Sequence, residues 1–509
     1  MIDLTIARIA EIVGGRLADI SPAAAEATHV TGTVEFDSRA VTPGGLFLAL
    51  PGARSDGHDF ARSAVEAGAA VVLAARPVGV PAIVVPKVPA ADAHAGVLEN
   101  DRDGSGAAVL AALATLAGAV AIDLVAGGSR IIGITGSSGK TSTKDLIAAV
   151  LRPLGEVVAP PGSFNNELGH PWTVLQATAD TDFLVLELSA RHRGNIAALA
   201  RIAPPSIGVV LNVGTAHLGE FGSREMIAKT KAELVQAVPS SGVAILNADD
   251  SIVAAMAALT SARVVTVGCT DTAQVRAENV ELDAMARPSF TLHAAGGVVE
   301  VQLAVHGEHQ VSNALCAAAV ALECGATLDQ VAAALADAGP ASRRRMEVRT
   351  RADGVTVIND AYNANPDSMR AGLQALAVMA RGRRSADAAE GGRGQQRSWA
   401  VLGEMGELGE DSVTEHDRIG RLAVRLDISR LVVVGTGRPV NAMHRGAIME
   451  GSWGSESIMV PDADAALALL SAELAPGDVV LVKASNAAGL GSLAEALAAA
   501  GGPGREAPG

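Results

Sequence analysis

Residues 131–151 read IIGITGSSGKTSTKDLIAAVL. A β-type run meets a Gly/Ser turn, and Lys140-Thr141 then opens a helix-like segment whose Leu146, Ile147, Val150 and Leu151 form an inward stripe. Small residues at Gly136, Ser137, Ser138 and Gly139 let backbone N–H groups turn toward an anion. Lys140 and the helix N-terminus add positive potential there. Thr141 offers a hydroxyl to Mg²⁺, as that position does in phosphate-binding loops. The general loop pattern puts four residues between its first Gly and the Gly-Lys pair. Here Gly133 stands one residue too early and Gly136 two too late. The expectation is a nucleotide loop of variant spacing at the edge of a parallel sheet.

The surrounding chain has the matching rhythm. From about 130 to 338, RIIGIT, DFLVLEL, SIGVVLN, GVAILNA and RVVTVG alternate with helical stretches, the mark of a doubly wound, mostly parallel α/β sheet. FTLHAAGGVVEVQLAV adds an antiparallel hairpin about its Gly-Gly pair. A second, Rossmann-like α/β series (VTVIND, WAVLGEM, RLVVVG, DVVLVKAS) follows AGPASRRRMEV. Before both lies an α/β block that ends in the polar stretch NDRDGSG. Three domains result, at 1–105, 106–338 and 339–509, with 381–397 (RGRRSADAAEGGRGQQR) expected as a disordered surface insertion.

At 509 residues the chain is too long for one core, and with 49% apolar but only 2% aromatic residues its cores must be aliphatic. A net charge of −15 argues against general affinity for nucleic acid or an anionic membrane surface. Cys269, Cys316 and Cys324 form no paired framework, which fits a reducing cytoplasm. The opening MIDLTIARIAEIVGG carries Asp3 and Glu11 and does not read as a signal peptide. The apolar run at 107–122 falls short of a membrane span and reads as a packed helix.

TGSSGKTS resembles the T-G-T-N-G-K-T-S loop of the Mur ligase family, ATP-dependent amide-forming ligases, so the spacing is a family variant. The resemblance implies ATP contacts by Gly136, Ser137, Ser138, Gly139, Lys140, Thr141 and Ser142. It implies Mg²⁺ at Thr141, at Glu187 (closing DFLVLEL) and at His217 (in LNVGTAHLGEFGS), with a carbamoylated Lys231 supporting a second ion. Lys229 stands close enough to leave that last assignment open. NNELGHP matches a family segment lining the substrate channel, giving Asn165 and Asn166. GEHQVSNALCAAAVAL matches a helix whose Asn313 lies near adenine. Arg345 matches the position reaching ATP across the interdomain cleft, and Asp360 an acidic residue for ribose or phosphate.

Which branch of the family follows from three features. FDSRAVTPGGLFLALPGARSDGHDF resembles the UDP-binding N-terminal domain, where Ser38 and Arg39 would meet the substrate diphosphate beside Asp37. DAYNANPDSM with VLGEMGELGEDSVTEH resembles the D-alanyl-D-alanine-adding branch, with Asn363 and Asn365 in the expected acceptor region. The Asp-Asn-Pro-Arg motif of the diamino-acid-adding branch is absent from the sequence. The implied substrates are UDP-N-acetylmuramoyl-tripeptide and D-alanyl-D-alanine, joined through an acyl phosphate by a monomeric enzyme with ATP and Mg²⁺. Alternatives are a folylpolyglutamate synthetase-like ligase, which lacks a UDP-sugar domain, and a catalytically inactive nucleotide-binding scaffold.

Overall fold

The computed structural model describes residues 3–87, 98–216, 218–389, 396–451, 454 and 456–500. Three main sheets follow one another along the chain. The first has five strands in the order Arg16–Ala18, Ala82–Val84, Ala69–Ala74, Gly45–Leu48, Val34–Glu35. The second has nine, running from Gly297–Gln302 at one edge through Arg263–Gly268, Val243–Asn247, Ile207–Val210, Arg130–Thr135 and Phe183–Glu187 to Val157–Val158. All its pairings are parallel except at the far edge, where Pro288–Ala294 pairs antiparallel with both neighbours. That edge contains the expected hairpin, turning at Gly296 (φ 152°) and Gly297 (φ 132°). The third sheet has six strands and is parallel apart from its first pair, Glu347–Thr350 with Thr356–Asn359.

Helices cover both faces of the nine-stranded sheet, as doubly wound topology requires. On one face the loop helix Lys140–Leu151 buries Leu146, Ile147, Val150 and Leu151 against helix Gln310–Glu323. On the other, helix Arg224–Ala237 lies close over paired Gly133 and Gly208. A Cβ at Gly208 would stand 2.6 Å from Val238 Cγ2, so glycine there sets how near the helix can come.

The apolar run proves longer than read from sequence. Helix Ser105–Ala126 has 22 residues, long and apolar enough by length and composition to cross a membrane. It is nonetheless a packed helix: Leu113, Leu116, Ala117 and Val120 are fully buried. They join Ile6, Ile9, Leu46 and Leu73 of the first block and Leu184, Leu186 and Ile196 of the second in one continuous core. The third block builds cores on each face of its own sheet.

The region 381–397 also departs from expectation. Helix Pro366–Ala389 carries the chain through its first half, because the helical register that buries Met369, Leu373, Leu376 and Met379 continues past Arg381. At its end Arg397 pairs with Asp478 at 2.9 Å and stacks over Trp399. Residues 390–395 lie outside the described residues.

Candidate active site

Gly139 caps the loop helix in left-handed conformation (φ 84°) and supplies no side-chain acceptor. The N–H groups of the helix's first turn therefore have no intrahelical partner and face a ligand position. Two other loop donors are used internally. Ser137 N–H and Ser138 N–H donate to Asn212 Oδ1 at 2.9 and 3.0 Å, and Asn212 Nδ2 donates back to Ser138 O at 3.2 Å. The expectation that both serines present their N–H groups to the anion is corrected: Asn212, just past strand Ile207–Val210, staples this side of the loop. Asn313 closes the other side, since a Cβ at Gly139 would meet its Oδ1 at 2.7 Å.

Lys140 Nζ donates to Gly136 O at 2.6 Å. Burial foremost pushes its pKa down to about 8, with Glu187 opposing and Arg345 reinforcing the shift. Glu187 is buried at the C-terminal end of its strand, where open α/β sheets place ligands. Its Oε2 accepts from Thr141 Oγ1 (3.2 Å), Ser163 Oγ (3.1 Å) and Asn165 Nδ2 (3.4 Å). Its Oε1 is buried with no hydrogen-bond partner. Among the described residues no three His, Cys, Asp or Glu side chains group into a ready-made metal site. Mg²⁺ asks for less: one carboxylate and a hydroxyl together with substrate phosphates suit it. The orphaned Oε1, on the carboxylate whose other oxygen accepts from Thr141, fits that donor set. His217 lies outside the described residues.

Lys231 is buried on helix Arg224–Ala237, whereas Lys229 is exposed, which separates the two candidates. Burial, and secondarily the charge of Lys140, holds the Lys231 ammonium well below the usual lysine range. Asn166 Oδ1 accepts from Gly169 N–H at 2.8 Å, a turn contact opening the short helix Gly169–Val174. In the first block, Arg39 is exposed and forks onto Asp37 (2.7 and 2.9 Å), holding that carboxyl at about 2, and Ser38 stands half-buried between them. The pair faces solvent close to where Trp172 Nε1 donates to Val34 O at 2.7 Å.

The third block completes the cleft. Arg345 NH2 donates to Thr141 Oγ1 at 3.3 Å, so the third block touches the loop. Asp360 Oδ2 accepts from the buried Lys483 at 2.6 Å. Asn365 spends its side chain capping helix Pro366–Ala389 through Ser368 N–H, while Asn363 is exposed and gives its carbonyl to Lys483. A cavity of about 390 Å³ is lined by Ser138, Gly139, Asn247, Asn313, Arg345 and Asp360, among others. Lys483 and Asn247 went unnoticed in the sequence. Each ends a β-run, the same signal that marked Glu187.

A glycine-capped phosphate loop, a buried carboxylate with a free oxygen and a third-domain arginine meeting the loop describe a nucleotide site shared between domains. Three family descriptions match the chain: "Mur ligase family, catalytic domain" over 31–116, "Mur ligase middle domain" over 134–321 and "Mur ligase, glutamate ligase domain" over 344–486.

The chain belongs to the Mur ligase family.

This Mur ligase is 72% identical over 510 residues, 98% of each chain, to UDP-N-acetylmuramoyl-tripeptide--D-alanyl-D-alanine ligase of Mycobacterium tuberculosis strain H37Rv. It is 34% identical over 439 residues, 86% of each chain, to the Escherichia coli K12 protein of the same name. Among solved structures it resembles MurF from Acinetobacter baumannii (TM-score 0.78, 28% identity, 97% of this chain and 99% of that one). It also resembles MurF ligase from Thermotoga maritima in complex with ADP (TM-score 0.71, 26% identity, 92% and 97% covered).

Proposed function

We propose that this Mur ligase joins D-alanyl-D-alanine to UDP-N-acetylmuramoyl-tripeptide with ATP, yielding ADP, phosphate and the UDP-N-acetylmuramoyl-pentapeptide used for peptidoglycan. The observation that carries this reading is 72% identity across 98% of both chains with relatives named for that reaction. The structure solved with ADP supports ATP as the nucleotide.

A carboxylate resists attack by an amine because its leaving group would be oxide. The tripeptide carboxylate oxygen therefore attacks the γ-phosphorus of ATP, and ADP departs. The dipeptide amine then attacks the acyl carbon and loses a proton, while phosphate leaves with the electron pair of its C–O bond. Lys140, the open first-turn N–H groups and Arg345 hold the phosphates and offset charge that develops on them, a mainly electrostatic and positional task. Asn313 and Asp360 are read as nucleotide contacts, Ser38 and Arg39 as contacts to the UDP end, and Asn165, Asn166, Asn363 and Asn365 as walls of the peptide path. Mg²⁺, held by Thr141 and Glu187 and by His217, would supply Lewis-acid neutralisation of the phosphate oxygens. Lys231, whose charged form burial disfavours, would add CO₂ with loss of a proton, and the resulting carbamate oxygen would serve a second ion. The blocks 1–105, 106–338 and 339–509 serve as UDP-substrate, ATP and acceptor-side modules of a monomer.

Phosphate release tests the reading. Release only when both substrates accompany ATP, with pentapeptide as product, is expected; release with neither peptide substrate, or none with both, overturns it. The carbamate has its own test. Loading with ¹³C-bicarbonate yields one carbonyl NMR resonance that Lys231→Ala removes and Lys229→Ala retains.

A further inference from the structure

Arg345 sits between two residues whose backbone is left-handed, Arg344 at φ 59° and Met346 at φ 48°. Non-glycine residues pay for that conformation, so it persists only where the surroundings impose it, commonly at functional sites. The turn after strand Thr356–Asn359 imposes it here. Asp360 Oδ1 accepts from Met346 N–H at 3.1 Å. Two residues on, the ring of Tyr362 lies under the Arg345 guanidinium, 4.2 Å from carbon to centroid. That separation is well inside cation–π range.

The turn is itself pinned from a third element. Lys483, buried at the end of strand Val479–Lys483, donates to Asp360 Oδ2 (2.6 Å), Asp360 O (3.4 Å) and Asn363 O (3.0 Å). Three contacts from one ammonium fix both ends of the segment that carries Tyr362. Arg345 then reaches Thr141 with one guanidinium nitrogen, while its Nε is buried without a partner. The geometry is a relay: Lys483 holds the turn, the turn holds Arg345, and Arg345 touches the phosphate loop of another domain.

We propose that Tyr362 and Lys483 are positioning residues that act through Arg345, the aromatic face and the pinned turn holding its guanidinium against the nucleotide loop at Thr141. The inference rests on the reading of Arg345 as an ATP contact. Tyr362 is not among the residues lining the cavity of about 390 Å³, and Lys483, which does line it, commits its ammonium to Asp360 and Asn363, so their loss acts on nucleotide engagement more than on chemistry at saturation.

Tyr362 is the only tyrosine in the chain. Growth with 3-fluorotyrosine therefore labels this one position and gives a single ¹⁹F resonance. Steady-state kinetics in ATP are compared for Tyr362→Leu, Tyr362→Phe, Lys483→Met and Arg345→Met, with melting temperature as the folding control. Tyr362→Leu is expected to raise KM for ATP about three- to thirtyfold, the range a partly desolvated cation–π contact spans, with kcat changed less. Tyr362→Phe keeps the ring and restores KM to within about twofold. In labelled protein, Arg345→Met and Lys483→Met each move the ¹⁹F resonance.

A raised KM in Arg345→Met with an unchanged KM in Tyr362→Leu overturns the relay alone. An unchanged KM in Arg345→Met overturns the nucleotide reading of Arg345 and the relay with it. Equal losses in Tyr362→Phe and Tyr362→Leu, tracking melting temperature, indicate packing only and also overturn it. Should Lys483→Met fail to fold, Tyr362→Leu and the ¹⁹F signal of Arg345→Met still decide, since neither disturbs the Asp360–Lys483 pair.

Discussion

At Lys140 the structure joins a charge, a carbonyl and burial in one place. Its ammonium donates to Gly136 O, and burial lowers its pKa to about 8. A polyphosphate beside it favours the charged form and raises that value. Binding therefore takes up protons above about pH 8, so affinity for ADP weakens as pH rises through the free-enzyme pKa. Calorimetry in buffers of different ionisation enthalpy should show proton uptake at pH 8.5 that Lys140→Ala abolishes, and the same variant should lose about 10²–10³ in turnover. At Glu187 three donors converge on Oε2 while Oε1 stays unpaired. Glu187→Gln keeps an acceptor for the donors but loses the charge. We expect at least a tenfold rise in the Mg²⁺ needed for half-maximal phosphate release, with little change in melting temperature.

Among elements, the telling contact is between two backbones. Helix Leu218–Phe221 of the middle block meets the turn at 407–411 of the third, where Gly219 N–H donates to Glu407 O at 3.1 Å. A Cβ on Gly219 would stand 2.6 Å from Gly409 N, and one on Gly409 2.8 Å from Gly219 Cα. Arg191, four residues past Glu187, pairs with Glu407 at 3.2 Å beside it. This seam and the phosphate loop both follow the C-terminal ends of parallel strands, Ile207–Val210 and Arg130–Thr135, on the side of the sheet where Arg345 meets Thr141. Gly219→Ala should hold the domains apart: a larger radius of gyration by small-angle scattering, and a fall in kcat of about tenfold or more from misplacement. Single-domain stability should be unchanged because neither core is touched.

Over the whole molecule, stability divides differently from the three sheets. The first and second blocks share one core through helix Ser105–Ala126, whereas the third builds its cores on its own sheet, with Ala286 of the second block joining one of them, and otherwise meets its neighbours largely through polar contacts such as Ser342 N–H to Asp145 (3.0 Å) and Arg345 to Thr141 (3.3 Å). Units joined by polar seams unfold independently more readily than units sharing a core. Scanning calorimetry should resolve two transitions, one for the third block and one for the first two together. ATP analogues should narrow the gap by bridging the seam. A single transition with equal calorimetric and van't Hoff enthalpies would show that the polar seam couples as strongly as a core.

The nucleotide loop, the parallel sheets and the strand-end carboxylate of Glu187 could be read along the chain, because these follow from local periodicity and from where a β-run stops. Glu187 and Lys140 were legible on that ground, and Arg345 and the branch of the family only through motifs that resemble those of known relatives. Tertiary structure alone decided what crosses between distant segments. Lys483 reads as an ordinary strand-end lysine until Asp360, more than a hundred residues earlier, is seen beneath it. The serines of the loop look like anion donors until Asn212 takes their N–H groups. The run at 107–122 reads as a packed helix, but only the structure shows that helix Ser105–Ala126 is long enough to cross a membrane and that its neighbours on two sheets bury it. The physical reason is common to all three. Hydrogen-bond partners and burial are properties of proximity in space, and one-dimensional order constrains proximity only within a few residues.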